Sequence, residues 1–327
     1  MTIGLRPRLF GNVRKYLPLA LGTILLILYF GRTDLRTLYD KALAFPPSLA
    51  LVIVLMNAAC GAIKTLRWKR FLARGGVNVA FGPAFVAVHA AFFMGLVTPG
   101  TAGELVRAAS LESGHDQGMA ILVFEKLCDL GVLAVLVALT VGGFVGGPRI
   151  LLLAVGTVGV ACLVAYYLWA RHRGVVLRPL RRVLTKLVNS EGVKGAERVY
   201  GLFQGLIASP RVVAASVLYS LSLWTVSLIQ VALIYRGLHV RPSWGFVALS
   251  YFLPYFVGIV SFVPLGIGAF DLTLRQLAES ASTAVPAALG SLVPAFFRLF
   301  VTVPLVLFGY GCQAAMTFVR SRGRQPK

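Results

Sequence analysis

The chain is 327 residues long, 58% hydrophobic and 13% charged, with a mean hydropathy of +0.82. A soluble domain carries about 25% charged residues, and here the apolar residues come in long blocks, which excludes an ordinary water-soluble fold and predicts an all-α polytopic membrane protein. Its net charge is +21, but Lys and Arg cluster between apolar segments with no nucleic-acid motif beside them, so they set topology first and contact anionic lipid second.

In chain order, Arg6, Arg8, Arg14 and Lys15 precede an apolar run over 17–30. No A-x-A-like cleavage site follows, so a retained first helix is expected. A second span over 47–63 ends in the basic residues Lys64, Arg67, Lys69, Arg70 and Arg74, with Trp68 placed to anchor the helix end at the interface. The run 79–97 is apolar but only marginally long enough to cross.

The stretch from Thr98 to Ala108 breaks the pattern. Pro99 frees a backbone carbonyl, Gly100 and Gly103 loosen the helix, and Glu104 and Arg107 bring charge to membrane depth. Non-helical backbone is tolerated there only where protein or a water-filled cavity surrounds it. The next span, 119–143, carries Glu125, Lys126 and Asp129 in its first turns. Glu125 and Asp129 are one turn apart and share a face. Either they cap the helix at the interface or that face points into the protein. Gly146-Gly147-Pro148 then turns the chain into a span over 150–170.

Residues 171–211 are strongly basic yet show helical periodicity in two places. Two amphipathic helices on the cytoplasmic leaflet fit this pattern, with Arg178, Arg181, Arg182 and Lys186 facing anionic lipid. A helical hairpin packed on the protein itself fits equally. The second half opens with a span over 212–235, and an apolar run over 244–263 follows a short basic loop. A second break follows, in which Pro264, Gly266 and Gly268 lead to Asp271, with Arg275 one turn later. An amphipathic piece to about 282 precedes the last apolar run, 285–310, which holds the solitary Arg298.

The chain thus reads as one integral-membrane domain over 1–327. Its first half is about 1–170, a cytoplasmic amphipathic linker covers about 171–211, the second half is about 212–312, and a basic tail covers 313–327. Placing every basic loop on one side requires both broken segments to dip in and return. The expected fold is a helix bundle of about six full spans plus two oppositely directed re-entrant hairpins, an inverted repeat with both termini cytoplasmic. Paired interrupted segments of this kind are the best sequence pointer to a transporter's binding site.

Conventional catalytic signatures are missing. There is no P-loop, H-E-x-x-H or G-x-S-x-G pattern. Cys60, Cys128, Cys162 and Cys312 sit in apolar surroundings without CxxC spacing, and the four histidines show no ligand spacing, so neither metal nor cofactor is expected. What remains is a mixed-sign set of charges in apolar surroundings: Glu104, Arg107, Glu125, Lys126, Asp129, Asp271, Arg275 and Arg298. Arg offers paired donors to phosphate, and a carboxylate accepts from an amine or hydroxyl.

Taken together, Arg67-Trp68, Thr98-Pro99-Gly100-x-x-Gly103-Glu104-x-x-Arg107, Glu125-Lys126-x-x-Asp129, Pro264-x-Gly266-x-Gly268-x-x-Asp271 and Arg298 resemble the membrane domain of lysylphosphatidylglycerol synthases. That domain also occurs alone as flippase-like membrane proteins, some associated with hopanoid lipids. The resemblance runs from the second span to the end. Lys126 stands where the pattern usually has Arg, and Asp271 where it usually has Glu; both keep the sign of the charge. The aminoacyl-transfer domain of full-length synthases is not part of the resemblance. It therefore implies lipid translocation or handling and not aminoacylation, and no enzyme activity is expected.

The expectation is an inner-membrane protein moving a lipid or lipid-linked molecule between leaflets. Glu104, Arg107, Asp271 and Arg298 are the leading candidates for head-group or gating contacts, with Arg275, Glu125 and Asp129 beside them. Membrane lipids, anionic or lipid-linked, are the expected partners, and nucleic acid is not. Two other readings stay open: an accessory protein docking a lipid-synthesis enzyme through 171–211, and a membrane transferase using an intramembrane carboxylate as base.

Overall fold

A computed structural model describes residues 35–98, 103–111, 113–145, 147, 190–263, 266–280 and 292–323. The expected spans over 17–30 and 150–170, the lipid-facing Arg178, Arg181, Arg182 and Lys186, and the helix breakers Pro99, Gly100 and Pro264 lie outside these residues. Every element among the described residues is helical. They are α1 (Leu35–Ala44), α2 (Pro47–Arg74), α3 (Phe81–Val97), α4 (Leu105–Ala109), α5 (His115–Val145), α6 (Ser190–Ala208), α7 (Pro210–Gly237), α8 (Trp244–Val260), α9 (Ala269–Ser280), α10 (Leu292–Phe297), a π-helical turn (Arg298–Thr302) and α11 (Val303–Gly323).

Among the described residues, four helical stretches are long and apolar enough to cross a membrane: α2, most of α5, α7 and the run Leu292–Phe318. α3 and α8 are as apolar but have only 17 residues each. At 1.5 Å per residue that is about 26 Å, short of a hydrocarbon core of roughly 30 Å. Side-chain exposure sorts the faces of the long helices. On α5, Val123, Leu127 and Leu130 are exposed at helical spacing, while Ile121, Phe124, Glu125 and Val132 are buried. In a multi-pass membrane protein the first set faces lipid and the second faces protein. The carboxylate of Glu125 therefore points inward.

The chain folds as two compact units whose members alternate along the sequence. The first comprises Met1–Asn57, Phe92–Gly103 and Leu228–Tyr310; the second comprises Ala58–Ala91, Glu104–Ser227 and Gly311–Lys327. In the first unit, α8 and α9 pack together across the second break. Gly266 there has a positive φ of 57°, which favours glycine, and a Cβ on it would crowd the Gly258 backbone at 3.1 Å. Phe45 stacks on Phe296 and Phe300, with ring centroids 5.2 and 4.8 Å away. The carbonyl of Phe300, in the π-helical turn, accepts from Asn57 Nδ2 at 3.1 Å. Asn57 Oδ1 in turn accepts from Gln230 Nε2 at 2.9 Å.

The second unit is built on an apolar core of Trp68, Phe71, Leu72, Val88, Ile121 and Phe124. This corrects the expectation for Trp68, which is fully buried and not an interfacial anchor. The reason is helix length. α2 runs on to Arg74 and closes there with Gly76 at φ 81°, whose following residue Val77 donates back to the Leu72 carbonyl. Arg67 and Trp68 consequently sit two turns inside the helix end.

Candidate functional site

Three of the charges expected in apolar surroundings, Arg107, Glu125 and Asp129, assemble in the second unit around a residue taken for part of a surface cluster. Arg67 is 2% exposed. Its Nη1 and Nη2 donate to the two carboxylate oxygens of Asp129 at 2.7 and 2.9 Å, a fork-to-fork pair. Nη1 also donates to Ser220 Oγ at 3.1 Å, and that hydroxyl donates to Asp129 Oδ1 at 2.5 Å. Ser220 and Ser216 on α7 are both fully buried, and their small side chains let α7 approach this closely.

Glu125, with no exposed surface, lies between two guanidinium groups. Arg107 Nη2 donates to its Oε2 at 2.5 Å, and Arg67 Nε is 3.2 Å from its Oε1. The Arg107 guanidinium also stands 5.6 Å from the Trp68 ring centroid, a cation–π contact in a dry setting. Outside this inner trio, Lys126 Nζ donates to Glu104 Oε1. This pair is more open: the Lys126 side chain is 36% exposed, Glu104 12% and Asp129 21%. Lys64 completes the group through electrostatic interaction with Glu104 and Asp129. Among the described residues, the cations Lys64, Arg67, Arg107 and Lys126 outnumber the carboxylates Glu104, Glu125 and Asp129.

The chemistry is graded. Arg67, Arg107 and Glu125 neutralise one another's charge and hold the helices in register. Lys126, Glu104 and Asp129 lie at the accessible margin, where a lysine head on a flexible stem can exchange one anionic partner for another.

The first unit holds a second ion pair, at the second break. Gly268, with φ 80°, precedes α9, and its N–H donates to Asp271 Oδ2 at 2.9 Å. This is the reach-back half of a capping box, with the acid three residues into the helix. Arg298 donates to the same carboxylate twice, Nε to Oδ1 and Nη2 to Oδ2, each at 3.0 Å. Its guanidinium also lies 5.2 Å from the Phe270 ring centroid. Arg298 opens the π-helical turn, a geometry that recurs at functional sites. Asp271 and Arg298, both singled out in the sequence, are thus direct partners. Arg275 pairs instead with Glu279 one turn along α9, at 2.6 Å.

Among the described residues, the Thr98 hydroxyl ties the two sides of the first break together. Thr98 Oγ1 donates to the Met94 carbonyl at 2.7 Å and accepts from the Gly103 N–H at 2.7 Å. Gly103 rests directly on the α3 backbone; a Cβ there would be 2.1 Å from the Met94 carbonyl oxygen. Ser261 plays a similar part after α8, donating to the Gly258 carbonyl at 2.7 Å and accepting from the Val263 N–H at 3.3 Å. Hydroxyl and glycine therefore serve both breaks, the first satisfying backbone groups at the helix end and the second allowing close backbone approach.

Sequence reasoning missed the burial of Arg67 and the participation of Lys64 and Ser220. A signal was present: Lys64, Arg67, Trp68 and Phe71 follow i, i+3, i+4, i+7 spacing, which puts them on the face that also carries the core aromatics.

Residues 16–309 match the family described as Lysylphosphatidylglycerol synthase TM region. A UPF0104 membrane protein of Pyrococcus horikoshii is 23% identical, over 81% of this chain and 87% of that protein. With a match covering nearly the whole length, the chain belongs to the lysylphosphatidylglycerol synthase transmembrane-region family.

Proposed function

We propose that this protein moves a lipid or lipid-linked molecule between the leaflets of a cell's inner membrane, without itself catalysing a covalent step. The observation that carries the reading is the graded ionic group on α2, α4, α5 and α7. A wholly buried charged trio is followed outward by the partly exposed Glu104, Lys126 and Asp129. Intramembrane charge is costly and by default marks a substrate path. The excess of cations suits an anionic head group, with Lys126 taking phosphate and Glu104 released to an amine or hydroxyl. Asp271 and Arg298 would act as a gating pair at the second break.

The same reading makes α3 and α8 the membrane-dipping limbs of two re-entrant hairpins, since both are apolar and too short to cross. Six full spans, with both termini cytoplasmic, follow from the basic segments sharing one side.

Purified protein in liposomes carrying a head-group-labelled anionic lipid tests the proposal, with outer-leaflet label bleached by a membrane-impermeant reductant. Leaflet exchange should exceed that of protein-free vesicles. It should fall at least tenfold in Lys126→Gln, whose partly exposed position leaves folding intact. Exchange at the protein-free rate, with correctly folded protein, would replace translocation by an accessory or transferase role.

A further inference from the structure

The turn joining α7 to α8 lies far along the chain from the charged residues above, and it has a built recess of its own. The recess measures about 260 Å³ and is lined by Tyr235, Arg236, Val240, Arg241, Trp244 and Val247. Pockets for whole small ligands run to roughly 300–1,000 Å³, so this one suits a head group and not a complete molecule.

The backbone around it is fixed. His239 takes φ 61°, its N–H donates to the Arg236 carbonyl, and the Val240 N–H donates to the Tyr235 carbonyl, both at 3.0 Å. Together these bonds form a complete left-handed helix cap, with Val240 as its buried apolar contact. On the far side Ser243 Oγ accepts from the Phe246 N–H and starts α8. Arg236 and Arg241 therefore project from a rigid turn, and neither makes an ion pair among the described residues. No Asp or Glu occurs anywhere between Glu197 and Asp271. Both guanidinium groups are exposed, so each can meet an anion at the membrane surface. Trp244 stands beside them, 67% exposed. α7 is 28 residues long, about 42 Å, so its last turn reaches a membrane surface, where indole rings sit at head-group depth.

We infer that this recess is a binding site for the phosphate group of a membrane lipid. Arg236 and Arg241 hold the phosphate oxygens, Trp244 stacks beside the glycerol region, and Val240 and Val247 form the apolar floor. The site requires only that the α7 end lie at the membrane surface; it does not depend on translocation.

The full chain in uncharged detergent, titrated with dioctanoyl-phosphatidylglycerol and read by tryptophan fluorescence, tests the assignment. A saturable change is expected that disappears in Trp244→Phe and shifts at least tenfold to higher lipid concentration in Arg236→Gln/Arg241→Gln. Each single Arg variant should shift it about threefold, which keeps the test open should the double variant fold poorly. Glycerol 3-phosphate over the same range should produce no comparable change. A response that never saturates, or one unaltered in the arginine variants, would reduce these residues to non-specific interfacial anchors. Equal binding of glycerol 3-phosphate would overturn the lipid assignment in favour of a free phosphate site. Leaflet exchange measured on the same variants separates the two proposals, since loss of lipid binding here with exchange intact would leave translocation standing.

Discussion

Glu125→Gln is the most informative single change in the ionic group. Glu125, Arg107 and Arg67 are all below 5% exposed, so water cannot replace a lost partner without local unfolding. Arg67 keeps its two bonds to Asp129, but Arg107 loses the carboxylate that its Nη2 approaches at 2.5 Å. Removing one partner of a buried pair costs about 3–5 kcal/mol, because the other charge is left uncompensated. Glu104→Gln offers the internal control: its partner Lys126 is 36% exposed, can turn toward water, and should cost about 1 kcal/mol or less. Replacing the stranded guanidinium as well, in Glu125→Gln/Arg107→Met, should recover at least half of the loss. Unfolding of the wild type, Glu125→Gln, Arg107→Met, their double variant and Glu104→Gln in mixed micelles titrated with dodecyl sulfate gives the five free energies needed. Equal cost at Glu125 and Glu104, or strict additivity in the double variant, would refute the scaffold role assigned to the inner trio.

Gly103→Ala should abolish folded protein, since its Cβ would overlap the Met94 carbonyl, whereas Gly131→Ala, facing open space on α5, should leave folded yield unchanged; size-exclusion profiles of the two variants settle this. Arg198→Ala removes an exposed ion pair with Asp116 and should cost under about 1 kcal/mol in the same mixed-micelle titration, with the difference shrinking further in high salt. Single cysteines at positions 74 and 320, in a background lacking the four native ones, should react with an impermeant maleimide from the same side of sealed vesicles. Labelling from opposite sides would end the six-span topology.

The long helices were legible from composition and length, because lipid enforces apolar runs with few exceptions. The breaks were legible too, since Gly103, Gly266 and Gly268 stand where the helices stop, in conformations or contacts that exclude a side chain. The pairing of Asp271 with Arg298 was only half legible. Both stood out as charges in apolar surroundings, but nothing in the spacing of 27 residues says that their helices meet. Arg67 illustrates the opposite failure. A run of five basic residues after an apolar span reads as a cytoplasmic edge, and hydropathy averaged along the chain cannot show that one of the five faces inward. Only its place in the i, i+3, i+4, i+7 series Lys64, Arg67, Trp68 and Phe71 separates it from Lys69 and Arg70. The Asn57–Gln230 contact left no pattern at all, being a single pair of amides joined across 173 residues.

The π-helical turn at Arg298–Thr302 also bears on how this chain tolerates changes of length. A π turn holds one residue more than the α turn it replaces. Deleting one of Leu299 to Thr302 would return the run to ordinary α geometry, with α10 and α11 still presenting their present faces. The same deletion in the middle of α7 would rotate the rest of that helix by about 100°, carrying the exposed Ile229 inward and the buried Gln230 out. The first deletion costs chiefly the hydrogen bond from Asn57 to the Phe300 carbonyl. Among the long apolar helices described, the last therefore has a built-in position where a residue can be lost while both flanks keep their orientation.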